Sequence, residues 1–339
     1  MRFYENAAQN WVRDNFSSIL TKNANYITMV GGKSKSNELD RDSPSTLPFT
    51  NENSLEPYQI LDAFTVCFKH ILDSHELDSF IQKVKGDLYN RDYIAAFNDD
   101  NKRFGYAARW SPSRALAYAS LFSNLEPITE LLQESEKVKR VLCVGGGAAS
   151  EIVGLGAVYC RLKEFHPNSP SRLDIDVVDI ADWTVVVNQL TNYVKQNWVY
   201  KEHNFNTQFK HEDILSTKID DLASFDLITL LFTTNELFAE KRKETIKLLQ
   251  TLSTGCKSGT LLLIAESAGS FSHITIGNKQ FPVQFLIDTI LVGKQGEGNG
   301  SWEIISEKES IWYRINEREV TYPLKLENMR FFYRLYRRK

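Results

Sequence analysis

Cysteine is scarce and scattered in this chain. Cys67, Cys143, Cys160 and Cys256 form no CxxC pair, so neither a zinc knuckle nor a disulfide framework is supported, and no metal is expected. Thiols left unpaired suit a reducing compartment, nucleus or nucleolus or cytoplasm. No apolar run is long enough for a membrane span. The opening Met1-Arg2-Phe3-Tyr4-Glu5-Asn6 has no apolar signal core, so secretion is not expected. Positive charge is not in excess either: 40 Lys and Arg stand against 43 Asp and Glu, a net of −3. That argues against a surface coated in nucleic acid, though not against a local basic patch. No internal repeat is visible. What is plentiful is core material, with 42% hydrophobic and 24% charged residues over 339 positions, enough for one large globular domain or two.

Two textures divide the chain. Residues 1–130 look helical. A short helix is expected over 1–25, a polar loop over 31–57, and helical apolar spacing at Ile60, Leu61, Phe64, Cys67, Phe68, Ile71 and Leu72. The same style continues over 75–97. Ser111-Pro112 predicts a fresh helix start, serine as N-cap and proline at the first position. From residue 131 to 339, strand-like runs alternate with helical ones. Strands are expected at 140–144, 173–178, 206–210, 225–232 and 260–265, with helices near 149–165, 183–199, 236–254 and 282–292. Such alternation implies a parallel sheet covered on both faces. Three further strands, 302–307, 310–316 and 329–336, have no helix between them and predict an antiparallel edge. A flexible loop over 293–300 precedes them.

The apolar run Val141–Val144 ends in Gly145, Gly146 and Gly147, with a helix following. Glycine permits positive φ and close approach of a ligand, and a helix N-terminus presents free N–H groups. A plain strand-to-helix turn would look the same, so the other strand ends matter. The second strand ends at Asp179 with Ile180 beside it, an acid able to accept bonds from ribose hydroxyls or to cap a helix. The third ends Asp213-Ile214-Leu215, an acid and an apolar residue suited to an adenine, or to a surface turn. The fourth delivers Thr233, Thr234, Asn235 and Glu236 to the cleft.

In that order, these features resemble the class I S-adenosylmethionine-dependent methyltransferases over about residues 105–339. The resemblance implies a Rossmann-like α/β fold: a seven-stranded, mostly parallel sheet with an antiparallel C-terminal strand, carrying here an N-terminal helical extension. It also implies S-adenosyl-L-methionine as cofactor. Its binding residues would be Gly145, Gly146, Gly147, Asp179, Ile180, Asp213, Ile214, Thr233 and Arg114. Cys143 departs from the pattern, standing where the family often has an acid. The segment Tyr106–Tyr118, with the helical front and the glycine turn, resembles the fungal 25S ribosomal RNA uridine-N3 methyltransferases. That implies ribosomal RNA or a pre-ribosomal large subunit as partner. Glu236 would accept the N3 proton, with Glu266 second, and Asn235 would bond the uracil edge. Glu236 could equally be a first-turn residue favoured by its helix dipole. Arg109 and Arg114 are candidates for phosphate or the cofactor carboxylate. Phe232, Phe238 and Trp110 could stack on a base. Lys241-Arg242-Lys243, Lys102-Arg103 and Arg334, Arg337, Arg338, Lys339 could meet RNA phosphates.

Other readings remain at this stage: a small-molecule or protein methyltransferase on the same fold, or a non-catalytic cofactor-binding assembly factor. A dinucleotide dehydrogenase fits less well, because Ser150 replaces the third glycine and Asp179 lies beyond the usual interval. Gly31-Gly32-Lys33-Ser34 is no P-loop, since Ile27 holds the place of its first glycine.

Overall fold

The computed structural model describes residues 46–134, 138–164, 170–269, 273–276, 279–293 and 299–339. The helix expected over 1–25, the first part of the loop over 31–57, Gly31–Ser34 and most of the loop over 293–300 lie outside the described residues.

The helical front runs α1 (Pro57–Cys67), α2 (Lys69–Leu72), α3 (Leu77–Tyr89), α4 (Tyr93–Ala96), α5 (Asp100–Asn124) and α6 (Glu126–Gln133). Pro57 opens α1 inside a capping box made by Glu56 and Gln59. The Asp99 carboxylate caps α5 by accepting from the N–H groups of Asn101 and Lys102.

Ser111-Pro112 does not begin a helix. It lies inside the 25-residue α5. Proline there has no N–H for the carbonyl four residues back. That carbonyl belongs to Ala108, and the Tyr322 hydroxyl donates to it at 2.7 Å. Next to it, Arg109 donates to the Lys325 carbonyl at 2.9 Å and pairs with Glu327, while the Glu327 N–H donates to Ser113 Oγ at 2.9 Å. A strap far along the chain thus holds α5 continuous through its proline.

The main sheet is built from β1 (Thr46–Leu47), β2 (Val138–Val144), β3 (Arg172–Asp179), β4 (Phe205–His211), β5 (Leu227–Leu231), β6 (Leu261–Ser267), β9 (Trp302–Tyr313) and β10 (Met329–Arg338), in the order β1-β9-β10-β6-β5-β2-β3-β4. A separate hairpin joins β7 (His273–Ile276) to β8 (Lys279–Pro282). The pairs from β4 to β6 are parallel, and β10 is antiparallel to both β6 and β9. The expected class of sheet is present, with eight strands among the described residues rather than seven. The extra one is β1, a two-residue strand parallel to β9. It is too short to carry an alternating pattern, which is why it read as loop.

Two further differences have local causes. The expected strands 302–307 and 310–316 are one strand, β9. Its charged middle survives because Glu307 and Glu309 face Arg334 of β10, with register shifts absorbing the mismatch. The helix expected over 236–254 is two, α9 (Thr234–Glu240) and α10 (Arg242–Gly255), parted at Lys241 where the backbone turns to φ −141° and ψ 73°.

Helices α7 (Ser150–Lys163) and α8 (Thr184–Asn197) join β2 to β3 and β3 to β4. They pack with each other and with α5 and α1, on one face of the sheet as the right-handed rule for parallel crossovers requires. On the other face are α9, α10 and α11 (Val283–Leu291). The chain reverses its direction of travel at β2, which pairs with both β3 and β5. The carboxyl ends of those strands therefore frame the crevice where such sheets bind ligands.

Candidate active site at the carboxyl ends of the strands

Gly145 follows β2 with φ +75° and donates to the Val178 carbonyl at 2.8 Å, which sets it level with the end of β3. Each glycine of the turn is crowded by a different neighbour. A Cβ on Gly145 would meet Thr233 Oγ1 at 2.5 Å, one on Gly146 would meet Glu151 Oε2 at 2.5 Å, and one on Gly147 would meet the Trp183 ring at 2.0 Å. The turn is glycine-only because its own chain closes on it from three elements. Thr233 donates weakly to the Val144 carbonyl at 3.2 Å, joining the ends of β2 and β5.

The Asp179 carboxylate accepts from the N–H groups of Gly147 and Ala181, both at 3.0 Å. It is half-buried, and burial raises its pKa despite these bonds. The Trp183 indole N–H lies beside it but outside hydrogen-bond geometry. Ile180 is 51% exposed, an apolar side chain at the end of β3. Asp213 is occupied. It accepts from the Leu215 N–H, the Ser216 hydroxyl and Lys241 Nζ at 2.9, 2.8 and 2.7 Å. Burial works against its charge, but these donors win and hold its pKa below the usual carboxylate range. Ile214 beside it is buried.

Past β5 the backbone is strained. Phe232 takes φ +57°, while its N–H is tied to the Ala265 carbonyl at 2.8 Å. A positive φ in a bulky residue costs about 1–3 kcal/mol and survives where surrounding structure imposes it. The turn launches α9, bringing Asn235 and Glu236 towards Glu266 at the end of β6. The Glu266 carboxylate accepts from the Asn235 N–H at 3.1 Å and the Ser267 N–H at 2.8 Å. Burial pushes its pKa up to about 7, and the nearby Glu236 carboxylate adds to this. Glu236 is raised by burial too, with Arg114 and Arg91 pulling it down. One of its oxygens, Oε2, is buried with no hydrogen-bond partner. The Arg114 guanidinium is held by the Tyr106 hydroxyl and lies over the rings of Tyr106 and Phe232.

Glu236, Glu266 and Arg114 are thus neighbours, and the glycine turn, Asp179 and Thr233 form an adjoining group. Among the described residues, Ser150 Oγ, Trp183 Nε1, Thr234 Oγ1 and Glu236 Oε2 are four of seven buried polar side-chain atoms lacking a partner, and all four lie at the N-termini of the helices that follow these strands. Buried polar atoms are normally satisfied. A cluster of unsatisfied ones beside a glycine turn suits a polar ligand such as a nucleoside carrying an amino acid.

Several expected contacts are engaged elsewhere. Arg109 is spent on the strap. Lys102 pairs with Asp87 and the Ala95 carbonyl, Arg103 with Asp100 and the Phe97 carbonyl. Lys241 holds Asp213. Arg334 is buried among Asp288, Glu307 and Glu309, Arg337 faces Glu303, and Arg338 donates to the Ser301 carbonyl. Phe238 is core, and Phe232 packs against Tyr118 and Phe331. Trp110 stays half-exposed beside Tyr106. One aromatic residue at the cleft was not anticipated. Tyr93 opens α4, and its hydroxyl is pushed up to about 12 by burial and then by Glu236, with Glu240 and Glu266 contributing. Helical spacing gives no hint of that neighbourhood.

A sheet of this order, with a glycine turn after its central strand and an acid after the next, defines a class I methyltransferase architecture. The chain belongs to the family whose model is described as "Putative SAM-dependent methyltransferase", matched over residues 64–337. It is an S-adenosylmethionine-dependent methyltransferase by that membership. It is 46% identical over 321 residues to the 25S rRNA (uridine(2843)-N(3))-methyltransferase of Saccharomyces cerevisiae strain ATCC 204508 / S288c, covering 86% of this chain and 88% of that protein. It is also similar to two crystal structures. One is the N-methyltransferase NodS from Bradyrhizobium japonicum WM9 in complex with S-adenosyl-l-homocysteine, with 19% identity, TM-score 0.33, and coverage of 62% of this chain and 84% of that one. The other is an S-adenosylmethionine-dependent methyltransferase from Clostridium acetobutylicum ATCC 824, with 13% identity, TM-score 0.36, and coverage of 75% and 97%. Among the described residues no helix is long and apolar enough to cross a membrane, and no group of three or more His, Cys, Asp or Glu could hold a metal ion.

Proposed function

We propose that this chain methylates N3 of a uridine in large-subunit ribosomal RNA. The observation that carries the reading is the 46% identity, over nearly the whole of both chains, to the yeast enzyme of that name. Ribosomal RNA or a pre-ribosomal large subunit is then the partner, and the nucleus, nucleolus or cytoplasm the place of work. Residues 131–339 form the donor-binding region in this reading, and residues 1–130 serve the substrate.

The donor supplies an activated methyl group on a sulfonium. The chain's residues position and deprotonate. Gly145–Gly147, Asp179, Ile180, Asp213, Ile214, Thr233 and Arg114 are the proposed cofactor contacts. Asp213 would act mainly through the loop it organises, since its carboxylate already holds Lys241. N3 lies on the Watson–Crick edge, so the base must be unpaired or flipped. Trp110 and Tyr93 are the half-buried aromatic residues suited to stack on it. Glu236 accepts the N3 proton on its unpartnered oxygen. Glu266 shares the negative charge, and Asn235 bonds the uracil edge. Arg114 pulls both carboxyls down against the effect of burial.

The test is to sequence-map and mass-map ribosomal RNA from cells lacking this protein. N3 methylation blocks pairing and stops reverse transcription, so one stop should vanish on deletion. An unchanged rRNA map would reject the reading.

A further inference from the structure

Glu151 has no part in the reading above. It lies in the first turn of α7 and is only 3% exposed. The Thr229 hydroxyl of β5 donates to its Oε1 at 2.6 Å. Oε2 lies against the bare α-carbon of Gly146, 2.5 Å from where a Cβ would stand, and takes no hydrogen bond from any described residue. The groups facing the carboxyl are Cys143 on β2, Asp179 at the end of β3, and Arg114 and Tyr118 on α5. No cation pairs with it directly. A carboxylate this buried is costly unless something positive completes it. A glutamine would keep the Thr229 bond without that cost.

We propose that Glu151, reaching beneath the glycine turn from α7, is the carboxylate that pairs with the α-ammonium of the methyl donor's amino-acid end and holds it at Gly146. Cys143, which lacks a charge, stands beside it at the end of β2, so the helix provides what the strand does not. Burial pushes the Glu151 pKa up to about 8, against the pull of the Thr229 hydroxyl. A bound ammonium lowers it again, so binding the donor releases a proton from Glu151. Affinity is complete above the free value and falls as pH drops below it. This inference rests on the methyl-donor reading of the cleft and is independent of the methyl acceptor.

The test compares two probes by calorimetry across pH 6 to 9. S-adenosylhomocysteine carries the amino-acid end, and 5′-methylthioadenosine lacks it. In the wild-type protein the first should weaken roughly tenfold per pH unit below about 8, and the second should be flat. Glu151→Gln should bind the first at least about tenfold more weakly at pH 8, without the acidic slope, and the second unchanged. Glu151→Asp should keep the slope. Equal losses for both probes, or a slope that survives in Glu151→Gln, overturn the assignment. So does the same slope for both probes in the wild type, a comparison that needs no variant. If neither probe binds the wild-type protein, the donor reading itself falls and takes this one with it.

Discussion

Tyr322 donates its hydroxyl hydrogen to the Ala108 carbonyl, 2.7 Å away and 214 residues distant in sequence. This is the carbonyl that Pro112 leaves without a helical partner. Tyr322→Phe should therefore destabilise the fold by about 1–3 kcal/mol, the cost of an unsatisfied buried acceptor. Pro112→Ala should restore much of that loss in the double variant, because an N–H returns. Chemical denaturation of the four proteins checks it: additive effects would contradict the coupling.

Glu236→Gln removes a proton acceptor while keeping shape. We expect the methylation rate to fall about 100- to 10,000-fold with S-adenosylhomocysteine affinity unchanged. Parallel losses of rate and cofactor affinity would assign Glu236 to binding instead.

The carboxylate pair sets a pH dependence. The proposed base Glu236 is raised by burial, Glu266 beside it is pushed up to about 7, and a base must be ionised to act. The methylation rate should rise with pH from the acid side and level off once both carboxyls are ionised. Stability runs the other way. A carboxyl whose folded pKa is raised stabilises the fold fully below its ordinary value near 4.5, and this contribution is lost as pH climbs through about 7. Glu266→Gln should thus gain thermal stability relative to wild type at pH 8, by up to about 3 kcal/mol, and gain little at pH 5. Melting curves at both values test the sign.

The strand ends were legible because apolar runs and glycine punctuation are local. Gly145–Gly147, Asp179, Asn235 and Glu236 fall at the carboxyl ends of β2, β3 and β5 as the pattern implies. The uses of charge were not legible. Lys241, Arg334 and Arg109 look like free cations along the chain, yet their partners Asp213, Asp288 and Glu327 are brought by folding from 28, 46 and 218 residues away. Pro112 misled for the same reason, since the group that rescues its helix is Tyr322. Glu151 was hidden because an acid in a first helical turn already has an ordinary explanation.

Arg334 tests that distinction. Its guanidinium is buried among Asp288, Glu307 and Glu309, so Arg334→Met should cost about 3–5 kcal/mol of stability. The folded fraction should keep its RNA affinity and its salt dependence. A loss of one unit in the salt slope would instead make Arg334 a phosphate contact.

Methyl transfer in vitro bears most directly on the function. Purified protein is incubated with isotope-labelled S-adenosylmethionine and unmethylated large-subunit rRNA, and the RNA is digested to nucleosides. The label should appear in 3-methyluridine at a single position and disappear with Glu236→Gln. Label on another atom or another base, or none from a protein that binds the donor, would contradict the account.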